Sequence, residues 1–145
     1  MKARDLMTPD PAQVTPSDSV QRVSQLMAEH DCGCIPVVTA ADQRSLVGVV
    51  TDRDIAIRAV AEGRPVTTPI GEIMTPNPDC VNPNDDIQHV EKLMSDRQIR
   101  RVVVVDDTGE CVGIIAQADL ARAAKRSSEP SPKEMVDVLE KISQP

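Results

Sequence analysis

Short apolar runs alternate along the chain with stretches in which apolar residues recur every three or four positions. Polar segments at 39–45 and 106–110 separate the runs in pairs, which predicts two hairpins. Helical spacing predicts one helix before each hairpin, and a second helix is predicted after each, at 52–62 and 117–126. The apolar runs are rich in β-branched residues and predict buried strands, at 35–38, 46–50, 102–105 and 111–115.

This order of elements occurs twice because the chain contains an internal repeat. A shift of 67 positions places Met7-Thr8-Pro9 on Met74-Thr75-Pro76. When residues 7–38 are paired with 74–105, 13 of the 32 pairs are identical. Each copy is predicted to be a β-α-β-β-α unit, too small to bury a sheet and two helices by itself. We therefore expect an α/β (α+β) protein built from two such repeats, at 1–66 and 67–126.

The first helix of each repeat is predicted to begin beside a polar pair that can accept its free N–H groups. The pairs are Ser17-Asp18 in the first repeat and Asn84-Asp85 in the second.

Residues 127–145 differ in composition from the repeats. A Ser- and Pro-rich linker is followed by a predicted amphipathic helix, with Ser131 and Glu134 spaced as a capping box. An apolar stripe at a chain end docks on its own protein or on a second subunit, and we expect a subunit interface rather than a membrane. The stripe consists of Met135, Val138, Leu139 and Ile142.

Composition narrows the class of protein. The 145 residues carry 23 acidic and 16 basic side chains, a net charge of −7, and no Phe, Tyr or Trp. An acidic chain without aromatic rings is a poor nucleic-acid binder. No apolar run is long enough to span a membrane and the first residues do not resemble a signal peptide, so a cytoplasmic protein with free thiols at its four cysteines is expected.

Repeat-related acidic residues follow the second strand of each hairpin. Beyond the hairpin loops the shift falls to 65, which places Gly48 on Gly113 and Asp54 on Asp119. Thr51 and Asp54 would lie at a strand-to-helix turn, where free N–H groups and a carboxylate could bind both hydroxyls of a ribose. The alternative is that the two side chains only cap the helix, since acidic residues favour first turns.

The duplicated Met-Thr-Pro segments, the Ile-Pro-Val strand and the Gly-Val-Val-Thr-Asp-Arg-Asp turn resemble a tandem cystathionine-β-synthase (CBS) domain pair, or Bateman module. The resemblance covers residues 1 to about 126 and implies a stand-alone, bacterial-type signalling protein without catalytic residues. It implies two repeats packed by their sheets about a pseudo-twofold axis, with two clefts between them. Related clefts commonly bind AMP, ADP, ATP, NAD or S-adenosylmethionine, and related modules form homodimers.

The resemblance also implies the residues of each cleft. In the first, Thr51 and Asp54 would bind the ribose and Arg53 would lie near the phosphate. In the second, Asp119 would bind the ribose, with Arg101 and Arg100 on the phosphate. The adenine walls would come from the other repeat, with Cys80, Val81 and Ile99 in the first cleft and Gln13, Val14, Cys32 and Gly33 in the second.

The two clefts depart from the family pattern differently. Ala116 replaces the expected Thr or Ser, and Gly33-Cys34 stands where the second repeat has Arg100-Arg101. The first cleft is therefore expected to hold ribose better and the second to hold phosphate better. With one or two Arg side chains available, a monophosphate such as AMP is favoured over a triphosphate.

Two further hypotheses stay open beside the regulatory one. The chain could be a dimeric interaction module that needs no ligand or responds to redox conditions through Cys32 and Cys34. An enzyme acting on a nucleotide phosphate is the least supported, because no residue is placed to activate water and no metal site is expected. An effector protein is implied, but the sequence does not identify it.

Overall fold

The computed structural model describes residues 1–40, 43–126 and 132–143. Over these ranges the chain is a mixed α+β protein with six α-helices and seven strands. The helices are α1 (Ala3–Leu6), α2 (Val20–His30), α3 (Asp52–Asp54), α4 (Ile87–Arg97), α5 (Gln117–Arg126) and α6 (Pro132–Ser143). The strands are β1 (Thr8–Pro9), β2 (Cys34–Val38), β3 (Leu46–Thr51), β4 (Thr75–Pro76), β5 (Cys80–Val81), β6 (Arg101–Val105) and β7 (Cys111–Ala116).

The predicted α+β class and the four long strands are confirmed, each strand to within one residue at either end. The helix predicted at 117–126 matches α5. The helix predicted at 52–62 begins as α3 but continues as a π-helical segment, Ile55–Val60, and a 3-10 turn, Ile70–Glu72, follows it.

The helix caps lie closer to the helices than predicted. Ser19, rather than Ser17 or Asp18, is the N-cap of α2, and its side chain accepts the N–H of Arg22 at 3.0 Å. Asp18 instead accepts the N–H of Thr15 at 2.8 Å and closes the preceding turn. The predicted cap was wrong because an Asp three residues after a free N–H can stabilise a turn as readily as a helix.

Asp85 has the same role in the second repeat. It accepts the N–H of Asn82 at 2.8 Å, while Asp86 is the N-cap residue of α4 and makes no side-chain capping bond. The repeated polar pairs therefore order the turn that leads into each helix.

The described residues fall into two compact units. The first unit contains Pro11–Pro78 with Thr108–Cys111, and the second contains Met1–Asp10, Asp79–Asp107 and Val112–Pro145.

In the first unit the sheet has the strand order β2-β3-β4. Both pairs are antiparallel, and Val14 adds a parallel bridge to Val37 on the far side of β2. Aliphatic side chains from this sheet and α2 form the core, among them Val14, Val23, Ile35, Val37, Val50, Ile70 and Ile73.

The second unit has the strand order β1-β7-β6-β5, with β1 antiparallel to β7 and β5 parallel to β6. Its core includes Val81, Ile87, Val90, Met94, Val104, Ile115 and Leu120.

The Met-Thr-Pro segment of each repeat supplies a strand to the unit built mainly from the other repeat. β4 pairs with β3, so that Thr75 lies opposite Val49, and β1 pairs with β7, so that Thr8 lies opposite Ile114. The compact units therefore do not coincide with the sequence repeats at 1–66 and 67–126.

The C-terminal helix α6 packs on its own chain. Met135 and Ile142 are 4% and 2% exposed and belong to the core of the second unit, and Val138 and Leu139 pack against it. The expectation that this stripe forms a subunit interface was wrong, because the helix pair α4 and α5 offers an apolar face within the same unit. Ser131, the other half of the predicted capping box, lies outside the described residues.

Candidate ligand-binding turns

In the first unit, Thr51 and Asp54 form a reciprocal capping box where β3 passes into α3. The Thr51 hydroxyl accepts the Asp54 N–H at 3.1 Å, and Asp54 Oδ2 accepts the Thr51 N–H at 3.0 Å. Capping is therefore confirmed as one role of both side chains. Asp54 Oδ1 lies outside this box, 3.9 Å from Arg58 Nε, and the Asp54 side chain is 16% exposed.

In the second unit, Asp119 holds the same position with different partners. Its Oδ2 accepts the Ala116 N–H at 2.7 Å, which reproduces half of the capping box without a hydroxyl. Arg122, one turn along α5, donates to Oδ1 and forms an ion pair with it. The Asp119 side chain is only 9% exposed, so this carboxylate is more enclosed than that of Asp54.

A second backbone contact is the same in both units. The Asp52 N–H donates to the Gly33 carbonyl at 3.0 Å, and the Gln117 N–H donates to the Arg100 carbonyl at 3.0 Å. The residue in front of the first hairpin strand therefore lies beside the N-terminus of the following helix. This hydrogen bond brings Gly33 to the Thr51–Asp54 turn, and Arg100 to the Asp119 turn.

The remaining predicted residues of the first unit are mostly engaged in packing. Val14 is 3% exposed and belongs to the core. Gln13 donates to the Cys111 carbonyl at 3.2 Å and accepts from Arg44 Nε at 3.1 Å. Cys32 is half-buried, and its N–H donates to the carbonyl of Met27 at 3.0 Å.

Arg53 is exposed, and its backbone N–H donates to Asp52 Oδ1 at 2.9 Å. Its side chain therefore starts from the first turn of α3, beside Asp54.

In the second unit, Val81 is 3% exposed and belongs to the core, while Ile99 is half-buried and packs against it. Arg100 and Arg101 are exposed. Cys80 is exposed on β5, opposite Val103.

The surroundings of Cys80 make its thiol less reactive, because they disfavour the thiolate. Partial burial raises the pKa of Cys80, and the nearby carboxylates of Asp79 and Asp85 raise it further.

The predicted site residues divide between the two compact units. Gln13, Val14, Cys32, Gly33, Thr51, Arg53 and Asp54 lie in the first unit, and Cys80, Val81, Ile99, Arg100, Arg101 and Asp119 lie in the second. The predicted pairing of each turn with adenine-wall residues of the other repeat stays a prediction.

Sequence reasoning missed two residues that set the charge of these turns. Arg122 is three residues after Asp119, a spacing that places two side chains on the same helix face. Asp52 lies over Gly33, where a Cβ would come within 2.9 Å of its Oδ2. The helical spacing was available as a signal for Arg122, whereas the Asp52 contact depends on the hairpin register.

Neither a metal site nor a membrane span is found in the described part of the chain. Over 1–40, 43–126 and 132–143, no group of three or more His, Cys, Asp and Glu side chains is placed to hold a metal ion. No helix in these ranges is both long and apolar enough to cross a bilayer.

Two copies of one α+β motif, each with a carboxylate at its last strand-to-helix turn, make this a tandem-domain protein. The sequence model of the CBS domain matches residues 3–60 and 70–126, and the chain belongs to the CBS domain family.

Relatives of similar length match most of the chain. The CBS domain-containing protein YhcV of Bacillus subtilis is 42% identical over 118 residues, 81% of this chain and 81% of its own. Hypoxic response protein 1 of Mycobacterium tuberculosis is 36% identical over 121 residues, 83% of this chain and 82% of its own. A crystal structure of Hypoxic Response Protein I, which holds two coordinated zinc ions, has a TM-score of 0.75 and covers 84% of this chain and 98% of that one.

Two solved structures of relatives hold adenosine compounds. CBSX2, a CBS-pair protein of Arabidopsis thaliana, was crystallised with AMP. It is 29% identical, with a TM-score of 0.75, and covers 86% of this chain and 96% of that one. The CBS domain pair of MJ0100 was crystallised with 5′-methylthioadenosine and S-adenosyl-L-methionine. It is 29% identical, with a TM-score of 0.76, and the match covers 85% of this chain and 98% of that one.

Proposed function

We propose that this protein is a non-catalytic regulatory module that binds an adenosine-containing ligand at its strand-to-helix turns. AMP, ATP, NAD and S-adenosylmethionine are the candidate ligands, and AMP is favoured. The module would pass a change in geometry to an effector protein.

The observation that carries the proposal is the matching placement of Asp54 and Asp119. Each carboxylate lies in the first turn of a helix, held by a backbone N–H three residues earlier. A carboxylate fixed in this way keeps further lone pairs that can accept hydrogen bonds from the vicinal hydroxyls of a ribose.

The relatives support the same class of ligand, since one holds AMP and another holds two adenosine thioether or sulfonium compounds. This chain has no aromatic residue to stack on adenine. The base must therefore pack between aliphatic side chains, at roughly 25 cal/mol per Å² of buried apolar surface before ordering costs. We expect micromolar affinity.

Titration calorimetry of ligand-free protein with AMP, ATP, NAD and S-adenosylmethionine tests the proposal. We expect heat with at least one of them, and a loss of at least about tenfold in affinity at one site in Asp54→Ala or Asp119→Ala. Asp96→Ala is the matched control, because Asp96 is an exposed carboxylate on α4 paired only with Lys92 over the described residues.

Asp54→Asn and Asp119→Asn guard against misfolding, because an amide keeps an oxygen that can accept the backbone N–H. Protein that gives no heat with any of the four ligands would refute the proposal. Equal binding by the Asp54 and Asp119 variants and by the Asp96 control would refute the role of the turns.

We also propose a homodimer, on the resemblance to the family and on exposed apolar side chains in the first unit. Ile57, Val60 and Val66 are 48%, 71% and 56% exposed, and such side chains favour an interface where they form one contiguous patch. Sedimentation should give a dimer that Val60→Asp weakens, and a wild-type monomer at all concentrations would refute the homodimer.

The redox-responsive alternative through Cys32 and Cys34 stays a prediction.

A further inference from the structure

We propose that the two turns select adenosine ligands by charge. The turn of the second unit binds a ligand with a 5′-phosphate, and the turn of the first unit binds one whose 5′ substituent is uncharged or cationic. This inference rests on the proposed function and adds to it the chemical class of ligand for each turn.

The two turns can be compared atom by atom because the same backbone hydrogen bond organises both. Gly33 and Arg100 accept, at 3.0 Å in each case, from the residue that opens the following helix. That residue is Asp52 in the first unit and Gln117 in the second. In the second unit, the cationic Arg100 therefore stands beside the neutral amide of Gln117. In the first unit, Gly33 has no side chain and stands beside the carboxylate of Asp52.

The turn of the second unit has more cationic than acidic side chains, with Arg100, Arg101 and Arg122 against Asp119. Arg100 and Arg101 are exposed, and over the described residues neither guanidinium takes part in a hydrogen bond or ion pair. Asp119 is already paired with Arg122. Arg122 therefore balances the one carboxylate, and the two exposed guanidinium groups of Arg100 and Arg101 are left over on the segment that bonds to the turn, a setting that favours a phosphate dianion.

Gln117 adds a second polar feature to this turn. Its Oε1 is buried without a hydrogen-bond partner in the described structure, at the first residue of α5. A buried acceptor of this kind gains from a ligand donor such as an amino or hydroxyl group, so the turn combines cations for a phosphate with an acceptor for a nucleoside.

At the turn of the first unit the charges balance, with Arg53 and Arg58 against Asp52 and Asp54, and a carboxylate takes the place of the cation. Asp52 Oδ2 lies 2.9 Å from where a Cβ of residue 33 would be. Its Oδ1 accepts the Arg53 N–H at 2.9 Å, so Asp52 already compensates the positive end of the helix. A phosphate at this turn would face Asp52 and Asp54 together.

The cation one helical turn beyond Asp54 is already engaged by the protein. Arg58 donates to the Ile73 carbonyl at 3.0 Å and to Thr75 Oγ1 at 3.3 Å. Arg58 Nε also lies 3.9 Å from Asp54 Oδ1, so Arg58 balances Asp54 and only Arg53 remains to oppose Asp52. A sulfonium or an uncharged thioether avoids the repulsion that a phosphate would meet, and a sulfonium gains from the carboxylates.

AMP and S-adenosylmethionine are the two probes that test the inference, because both carry adenosine and their 5′ groups differ in charge. For wild-type protein we expect one AMP per chain in calorimetry. Arg100→Gly combined with Arg101→Cys, which gives the second turn the residues of the first, should weaken AMP binding by at least about tenfold. S-adenosylmethionine affinity should stay within about twofold.

The reciprocal variant changes the first turn. Asp52→Gln should weaken S-adenosylmethionine binding and raise the AMP stoichiometry from one toward two, because the carboxylate that repels phosphate is gone. Arg97→Gly is the matched control, since it removes an exposed cation of the same unit that pairs with Asp79 at 3.7 Å. Arg100→Gln with Arg101→Gln repeats the test without introducing a glycine.

The outcomes separate the inference from the proposed function. Two equal AMP sites per wild-type chain would overturn charge selection while leaving nucleotide binding in place. AMP affinity that changes no more in the Arg100 and Arg101 variants than in Arg97→Gly would also overturn it. Protein that binds neither AMP nor S-adenosylmethionine would overturn the inference, and protein that binds none of AMP, ATP, NAD and S-adenosylmethionine would overturn the proposed function as well.

Discussion

The turn after β3 and the turn after β7 have the same backbone and different chemistry. In both, a carboxylate accepts an N–H three residues earlier, and the helix N-terminus bonds to the carbonyl of the residue that precedes the hairpin. Around this frame, the first turn carries Thr51 and Asp52, whereas the second carries Ala116 and Gln117. Main-chain hydrogen bonds can therefore hold a site's geometry while side chains change its charge.

The helices that follow the two turns differ as well. The first unit continues with the π-helical segment Ile55–Val60, where Ile57 and Val60 are exposed. The second continues with the regular helix α5, which has Arg122 and Lys125 at the equivalent positions and α6 packed against it. The first unit thus exposes apolar side chains near its turn, whereas in the second unit α6 packs on the helices.

Truncating a buried side chain of α6, which packs on the second unit, should cost the most stability. Ile142→Ala removes a side chain that is 2% exposed and should lower the free energy of unfolding by about 2–5 kcal/mol. Urea denaturation measures the change. Val136→Ala is the control, since Val136 is 54% exposed on the same helix and should stay within about 0.5 kcal/mol. Equal effects of the two variants would show that α6 does not dock as described.

Substitutions at two glycines test how the two Met-Thr-Pro segments pack. A Cβ on Gly48 or Gly113 would overlap the sulfur of Met74 or Met7, so Gly→Ala at either position should destabilise by about 1–3 kcal/mol.

Double variants test the same two contacts. The three atoms nearest to a Cβ at Gly113 belong to Met7, its own Cβ at 3.0 Å among them, and a Cβ at Gly48 also meets the Thr75 carbonyl at 3.1 Å. Met7→Ala and Met74→Ala remove the overlapping sulfur but leave these last contacts, so each should rescue its Gly→Ala variant in part. Thermal melts in which neither double variant is more stable than its Gly→Ala parent would refute this packing.

Exchanging the capping residues makes the two turns alike. Thr51→Ala removes the hydroxyl that accepts the Asp54 N–H and should cost about 0.5–2 kcal/mol. Ala116→Thr completes the box at Asp119 and should stabilise the protein by a smaller amount. Thermal melts of both variants check the two signs, and a Thr51→Ala variant as stable as wild type would refute the capping box.

The smallest effect concerns Cys80 in the second unit. Since burial and two carboxylates raise its pKa, the reactive thiolate forms only at higher pH than for an ordinary thiol. Alkylation at neutral pH should be slow and should accelerate as pH rises through that raised pKa. Asp79→Asn should increase the rate by at most about fivefold, measured by mass spectrometry, with Asp96→Asn unchanged. An unaltered rate in Asp79→Asn would refute the contribution of Asp79.

Local pattern was enough to predict the four long strands and α5. Their apolar runs are continuous, and β2 is buried along its whole length, so composition alone separates them from the polar loops. The π-helical segment was not predictable, because apolar residues at helical spacing occur in both kinds of helix. The cap positions were wrong because Asp18 and Asp85 bond backward to a turn.

Contacts between residues far apart in the chain could not be predicted from the sequence. β1 and β4 have two residues each, too few to show a strand pattern, and their pairing across the repeats depends on tertiary packing. The repeat did identify Asp54 and Asp119 as equivalent. It could not reveal that Asp52 lies over Gly33, because that contact depends on where the two strands end.

The two matching turns are proposed to bind adenosine ligands and to differ in the charge they accept. Backbone amide NMR of ¹⁵N-labelled protein, titrated separately with AMP and S-adenosylmethionine, follows each turn through its own signals. We predict that AMP shifts the amides of Ala116, Gln117 and Asp119, and that S-adenosylmethionine shifts those of Thr51, Asp52 and Asp54. Both compounds shifting one and the same turn, or neither turn responding to either compound, would contradict the account.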